Sequence, residues 1–291
     1  MAKERRAGRL LFALRSALLI TITALLAGSC SAAQPQIRVA VTSPWLLEVA
    51  SFIGGRQASV RSLSRWTTSG SEVPAARPRA GEIIIAFDMR EAAKLKISAN
   101  NKKLNVLYPK LALDEDERRA AFFDPAMLPS VAQETMKIIA GADGKNYSYY
   151  QRRLAEFQSR IDSTMGAGRH MLAGARILDL TGAQGIWVRS SVTGVVRPPD
   201  SVWKEWLNGG SAALKAALDE AARRGWLLLL DPWTPAVIRS AAVRYPNRLT
   251  LVPPHNNIDY FVFLHDIFTQ IDNKLKAANA KAAPAKGKKR P

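Results

Sequence analysis

The chain is poor in the residues that form cross-links or bind metals. Its 291 residues include one cysteine, Cys30, and three histidines. A single cysteine excludes a disulfide within the chain, so its stability must come from a packed core. Three motifs of enzymes are also missing: the Gly-x-Ser-x-Gly nucleophile elbow, the P-loop and a Gly-x-Gly-x-x-Gly turn at a strand end. We therefore predict neither an enzyme activity nor a cofactor.

No apolar run is long enough to make a membrane-spanning helix the better interpretation. Lys3, Arg5, Arg6 and Arg9 form a basic region ahead of an apolar segment at residues 16–28, which is shorter than the roughly 20 residues that cross a bilayer. This arrangement predicts a signal peptide over residues 1–33 and a periplasmic protein. Small residues before Gln34 suit cleavage there, while Ala27-Gly28-Ser29-Cys30 resembles a bacterial lipobox. A free form and a form lipid-anchored through Cys30 both stay open.

Acidic residues are absent from the C-terminal segment, residues 274–291, which carries seven Lys or Arg. The net charge of +18 is thus concentrated at the ends, with +4 in residues 1–33 and +7 in the C-terminal segment. Because that segment is a low-complexity Ala/Lys/Pro sequence, we predict a disordered tail. In an exported protein its charge favours an anionic membrane or envelope surface as partner, and not nucleic acid. A solubilising tail without a specific partner is the alternative.

Between the two ends, β-branched or leucine-rich runs alternate with amphipathic segments. The predicted buried strands include residues 37–41, 82–87, 104–108, 176–180 and 226–230. Midway, four apolar residues recur at spacings of three and four and predict one long helix: Tyr150, Leu154, Phe157 and Ile161. The pattern predicts an α/β fold of two lobes, each with a parallel sheet flanked by helices, joined by one long connecting helix. The lobes are residues 34–145 and 173–273, and the connecting helix is residues 146–172.

Several short stretches point to one family. Val41-Thr42-Ser43-Pro44, Phe123-Asp124-Pro125 and the segment from Tyr149 to Asp162 resemble a first strand and turn, a Leu-Asp-Pro elbow and a connecting helix. Asp259-Tyr260 resembles the opening of a final helix. Together they resemble the zinc- and manganese-type (TroA-like) solute-binding proteins of ABC importers. The resemblance implies a monomer that holds a small solute between its lobes, and an ABC permease in the inner membrane as its partner.

The metal ligands of that family have no counterparts here. The resemblance places three histidines within residues 58–81, at Ala120 and at Thr181, and a carboxylate within residues 252–254. The first three places carry no histidine and the fourth carries no acid. We therefore predict that the family's metal site is not carried over.

A different solute would be expected where ligands bind open α/β sheets, beyond the carboxyl ends of the strands. The candidate ligand-binding residues at such positions are Ser43, Asp88, Thr181, Gly182, Arg197, Asp231 and His255. The Gly-rich residues 181–185 have N–H groups that would cradle an anion near Arg189 or Arg197. The alternative is that they form only a turn of small residues.

Three hypotheses follow for the function. The first is a periplasmic solute-binding component of an ABC-type importer with altered or lost metal specificity. The second is an envelope interaction or scaffold protein that keeps the fold without binding solute. A cleft lined by convergent polar groups favours the first, and a collapsed apolar cleft favours the second. The third is a metal carrier with an unorthodox site around His255.

Overall fold

Two four-stranded parallel sheets organise the computed structural model, which describes residues 36–110, 113–256 and 258–282. The first sheet consists of β1 (Ile37–Val41), β2 (Ala58–Ser62), β5 (Ile83–Ala86) and β6 (Leu104–Val106), in the order β2-β1-β5-β6. The second consists of β7 (Ile177–Asp179), β8 (Val195–Val196), β9 (Leu227–Leu230) and β10 (Arg248–Thr250), in the order β10-β9-β7-β8. A short antiparallel pair, β3 (Ser64–Trp66) and β4 (Glu72–Pro74), follows β2. The predicted parallel sheets are therefore confirmed.

Helices connect the strands in both lobes. In the first lobe they are α1 (Pro44–Gly54), α2 (Met89–Lys94), α3 (Glu115–Ala121) and α4 (Leu128–Ala142). The connecting helix α5 is Tyr147–Met171. In the second lobe they are α6 (Gly185–Ser191), α7 (Asp200–Leu207), α8 (Ser211–Arg223), α9 (Ala236–Ala242) and α10 (Tyr260–Ala282). None of the helices in the described part of the chain has the length and apolarity that a membrane span requires.

The first strand and helix show how local sequence sets the fold. Val39, Ala40 and Val41 are fully buried because β1 lies between two neighbours, with Val39 in register with Val60 and Ile83. The strand ends where Ser43 caps α1, its hydroxyl accepting a hydrogen bond from the backbone N–H of Leu46 at 3.3 Å. Pro44 then occupies the first turn of the helix, where its missing N–H costs nothing.

Apolar packing explains why each sheet is covered on both faces. One large cluster spans the inner faces of both sheets together with α1, α4, α5, α6 and α10. Two smaller clusters cover the outer faces, one around Ala40 and Ile84 and the other around Leu178 and Leu228. Alternate residues of each strand thus enter different clusters, which is the pattern of a sheet buried on both sides.

The connecting helix packs through the stripe that its spacing predicts. Tyr150 and Phe157 are fully buried and Ile161 is nearly so, while Leu154 is half-buried against the same cluster. The stripe is part of the core and forms no ligand site.

One segment differs from the predictions. The terminal helix runs on to Ala282, so residues 274–282 are helical and the prediction of a disordered tail from residue 274 is wrong for them. An ion pair between Lys276 and Asp272, one turn earlier, stabilises this last part of the helix. The predicted signal peptide, with Cys30, and residues 283–291 lie outside the described residues.

The contact between α5 and α10 yields a prediction. Gly168 is buried, and a methyl group there would overlap the ring of Phe268. Gly168→Ala should therefore lower the free energy of unfolding by about 1–3 kcal/mol, the usual cost of overpacking. Gly166→Ala is the matched control on the same helix, because the nearest atom to its new Cβ would be the mobile end of Arg169, 3.9 Å away. The control should gain up to about 1 kcal/mol through helix propensity. Urea denaturation measures both, and equal effects would contradict the packing argument.

Candidate functional site

Most of the seven candidate residues lie at carboxyl ends of strands, and they are occupied by bonds within the chain. Asp88 and Asp231 are fully buried and Thr181 is 1% exposed. Ser43 is the cap of α1 described above. Ligand binding by these residues stays a prediction. In the structure each of them forms a hydrogen bond with another part of the chain.

Asp231 organises the Gly-rich loop of the second lobe. Its carboxylate accepts hydrogen bonds from the backbone N–H groups of Gly182 and Ala183, both at 2.8 Å, and of Gln184 at 3.1 Å. The N–H of Trp233 and the hydroxyl of Thr234 donate to the same carboxylate. The loop therefore does cradle an anion, but the anion is the chain's own side chain. These N–H groups are not available to an external anion.

Thr181 and Arg197 belong to a second buried carboxylate, Asp179, which the sequence analysis missed. Asp179 is fully buried and accepts hydrogen bonds from the backbone N–H and the hydroxyl of Thr181, at 2.9 and 2.7 Å. Arg189 pairs with it directly, and Arg197 lies 3.6 Å from it. Arg197 also donates to the carbonyl of Thr181 at 2.7 Å and stacks over Trp203. Both arginines are thus committed to neutralising one internal charge.

Asp88 has the same role in the first lobe. It caps α2 by accepting a hydrogen bond from the N–H of Glu91 at 2.8 Å. Its other oxygen lies 3.0 Å from the guanidinium of Arg118, which is 7% exposed. This buried ion pair ties α3 to the end of β5.

The three histidines lie apart. His255 is exposed, and its ring contacts the carbonyl of Asn256 at 3.1 Å. His170 and His265 are exposed on α5 and α10. In the described residues, no three side chains of His, Cys, Asp or Glu are grouped so as to hold a metal ion.

Trp233 contacts segments that contain or adjoin the places assigned to the metal ligands. Its indole N–H donates to the carbonyl of Gly70, within residues 58–81, at 3.2 Å. The guanidinium of Arg119, next to Ala120, lies 4.7 Å from its ring. Gly182, next to Thr181, approaches its backbone so closely that a Cβ would lie 2.6 Å from its carbonyl oxygen. A Cβ on Gly70 would in turn touch Pro253, within residues 252–254. Trp233 thus links segments of the two lobes that adjoin these places.

The rest of the region between the lobes is aromatic. Trp45 lies at the centre of a cluster with ring centroids 4.7 Å from Trp66, 5.0 Å from Phe123 and 6.5 Å from Trp233. The side-chain amide of Asn256 adds a polar link across the lobes. Its oxygen accepts a hydrogen bond from the backbone N–H of Trp66 at 3.0 Å, and its nitrogen donates to the backbone carbonyl of Trp66 at 3.3 Å. The region between the lobes is therefore collapsed and largely apolar.

A polar cavity of about 100 Å³ lies beside this cluster, with walls from the first lobe alone. Its charged lining residues are Glu72, Glu91, Lys94, Glu115, Arg118 and Arg119. Thr42 and Ser64 contribute hydroxyl groups, and Trp45 and Phe122 contribute aromatic walls. It lies beyond the carboxyl ends of β1 and β5, where ligands bind open α/β sheets. Of the predicted positions none lines it, although Asp88 pairs with its wall residue Arg118.

Burial changes the chemistry of two carboxyl groups in this cavity. Burial, and secondarily the neighbouring Glu91, raises the pKa of Glu72 to about 8. Burial also raises the pKa of Glu91, against the opposing effect of hydrogen bonds from the Thr42 hydroxyl and the Phe87 N–H. No sequence signal marked Glu72, because it lies in a loop-rich segment and is enclosed only by the fold.

The Asp231 network yields a prediction. Asp231→Asn would set an amide N–H₂ against backbone N–H donors, so the free energy of unfolding should fall by about 2–4 kcal/mol. Asp162→Asn is the control, because Asp162 is exposed on α5, and we expect a change within about 0.5 kcal/mol. Urea denaturation measures both. Equal stability of the two variants would contradict the structural role of Asp231.

Glu72 yields a pH prediction. A carboxyl whose pKa is raised in the folded state binds its proton more tightly there, so stability is greatest at low pH and falls as pH rises from 4.5 to about 8. We expect urea denaturation to show this loss, at most about 1.4 kcal/mol per pH unit for one carboxyl. Glu91 contributes in the same direction, as does Glu48, whose pKa burial raises to about 7. Glu72→Gln should make the loss shallower, and an unchanged slope would contradict the assignment.

Solved structures of solute-binding proteins have the same fold. A crystal structure of ZnuA shares 14% identity over 82% of this chain and 99% of its own, with a TM-score of 0.56. FpvC from Pseudomonas aeruginosa, in complex with Mn²⁺, shares 14% over 84% and 100%, with a TM-score of 0.54. The laminin binding protein Lmb of Streptococcus agalactiae, a bifunctional protein with adhesin and metal transporting activity, shares 14% over 82% and 99%, with a TM-score of 0.56.

At this identity the likeness shows the fold alone. No protein-family model and no curated protein sequence matches the chain. The predicted architecture, two α/β lobes joined by a long helix in the TroA-like arrangement, is confirmed by the structure and by these neighbours.

Proposed function

We propose that this protein is the periplasmic solute-binding component of an ABC-type importer, that its metal specificity is lost, and that it captures another small solute. The fold shared with ZnuA and FpvC supports the first part. The observation that supports the second part is Trp233, whose indole packs against Gly70 and Arg119, in segments where the resemblance places metal ligands. The polar cavity of the first lobe supports the third part, because it joins convergent polar groups at the carboxyl ends of strands.

The same proposal includes the cellular context. We infer export to the periplasm through the N-terminal signal, delivery to an ABC permease, and no catalysis. Attachment through Cys30 and contact of the basic tail with an anionic surface belong to this proposal as well.

A second candidate function is a non-transport envelope interaction or scaffold protein. The collapsed region between the lobes favours it, because Asn256 and Trp233 hold the lobes together through hydrogen bonds to Trp66 and Gly70 without any solute. The adhesin activity named for Lmb is a function of that kind on the same fold.

Metal titration tests the proposal. We expect zinc and manganese to leave the melting temperature unchanged, with and without chelator, because no ligand set exists among the described residues. A site filled at 100 times its dissociation constant would add about 2.7 kcal/mol and be readily detected. The protein should be purified with α10 complete, since the helix continues to Ala282.

A chelator-reversible rise would overturn the loss of metal specificity. His255→Ala would then show whether an unorthodox site around His255 is responsible, with His170→Ala on the exposed face of α5 as control. Separately, co-purification with a membrane permease would support transport, whereas recovery of an envelope protein partner alone would support the second candidate.

A further inference from the structure

The charges around the first-lobe cavity are unevenly paired. Each of its three cations has an acidic partner: Arg118 pairs with Asp88 at 3.0 Å, Arg119 with Asp116 at 2.6 Å, and Lys94 with Glu115. Glu72 and Glu91 form no ion pair within the described residues. The ionisable groups of the cavity without an ion-pair partner in the described structure are therefore the two carboxyl groups of Glu72 and Glu91.

The two acids differ in what else they contact. Glu91 accepts hydrogen bonds from Thr42 and from the N–H of Phe87, which leaves it anchored in the wall. Glu72 makes no side-chain hydrogen bond with the part of the chain that the structure describes. A half-buried carboxyl with no partner is unfavourable unless it stays protonated or receives a cation.

Two buried donors in the same wall also lack acceptors. The indole Nε1 of Trp45 and the guanidinium Nε of Arg119 have no hydrogen-bond partner in the described structure. Trp45 is 2% exposed and Arg119 is 8% exposed, and both side chains line the cavity. Buried donors are nearly always paired, with the protein, with ordered water or with a ligand atom, so an acceptor placed in the cavity wall would satisfy them.

The size and the walls of the cavity narrow the choice of ligand. About 100 Å³ admits a few water molecules or a molecule of a few heavy atoms, which is far below the volume of a drug-sized site. The unpaired carboxyl groups of Glu72 and Glu91 favour a cation over an anion.

We propose, on the basis of the proposed solute-binding function, that this cavity binds a small organic ammonium compound that also carries a hydrogen-bond acceptor. The ammonium group pairs with the carboxylates of Glu72 and Glu91, and the acceptor receives hydrogen bonds from the unpaired donors of Trp45 and Arg119. The site belongs to one lobe, so binding there needs no closure between the lobes.

Ethanolamine is a suitable probe, with ethylamine, acetate and zinc chloride as comparisons. Isothermal titration of the purified protein should show ethanolamine binding with a one-to-one stoichiometry and more tightly than ethylamine, which lacks the oxygen. Glu72→Gln should weaken ethanolamine binding about tenfold or more, the loss expected for a charged hydrogen bond. Glu134→Gln, at an exposed ion pair on α4 outside the cavity, should leave it unchanged.

Binding should also strengthen between about pH 6 and pH 8, while ethanolamine stays protonated, because the cation requires the ionised form of Glu72. The charged groups that act on Glu72 are Glu91, Glu115, Lys94 and Arg119. Circular dichroism of each variant establishes that it is folded.

Binding of acetate in place of ethanolamine, or equal loss in both variants, would overturn the ligand class and leave the solute-binding proposal standing. No binding of any organic probe to folded protein would overturn the inference. The titration with zinc chloride tests the proposed loss of metal specificity separately. Only zinc binding that a chelator reverses would contradict that loss.

Discussion

The structure depends on one indole, that of Trp233, and on the carboxylate that holds it. Asp231 accepts a hydrogen bond from the backbone N–H of Trp233 and also fixes the N–H groups of residues 182–184. The turn after β9 and the loop after β7 are thereby locked to each other, and the indole is directed towards Gly70 in the first lobe. A positive φ of 77° at Gly70 disfavours any residue with a side chain there, and a Cβ would also lie 3.1 Å from Pro253. The turn and the loop of the second lobe and Gly70 of the first lobe thus together fix the position of the Trp233 indole.

The two lobes use the carboxyl ends of their strands in different ways. In the second lobe the acids Asp179 and Asp231 are satisfied by arginines and backbone N–H groups, so no charge remains for a ligand. In the first lobe Asp88 is satisfied by Arg118, but Glu72 and Glu91 are left without cations. The acids at the strand ends of the second lobe thus have partners within the chain, whereas the first lobe keeps two carboxyl groups without an ion-pair partner in the described structure.

The fold could be predicted from the sequence because its signals are local. Strand runs, the Ser43-Pro44 cap and the stripe of α5 each lie within one element, and each formed as expected. The site could not be predicted, because its partners are distant in the chain: Asp231 meets Gly182 across 49 positions and Asn256 meets Trp66 across 190. Asp88 and Asp231 were identified as acids at strand ends, but no pattern could show that arginine or N–H partners already neutralise them. Glu72 was missed for the converse reason, since its burial comes from the antiparallel pair β3–β4 and from α3.

Aromatic packing explains why the region between the lobes is collapsed. Empty space there would cost about 24 cal/mol per Å³ of cavity. Trp233, Trp45 and Trp66 remove that cost by packing against one another. The first-lobe cavity is not isolated from this packing, because Trp45 and Arg119 form its wall and also contact Trp233. A ligand that engages Arg119 would therefore act on the same guanidinium that stacks on the indole between the lobes. A ligand bound in the first-lobe cavity can therefore affect the second lobe through Trp45 and Arg119, and the aromatic cluster need not open.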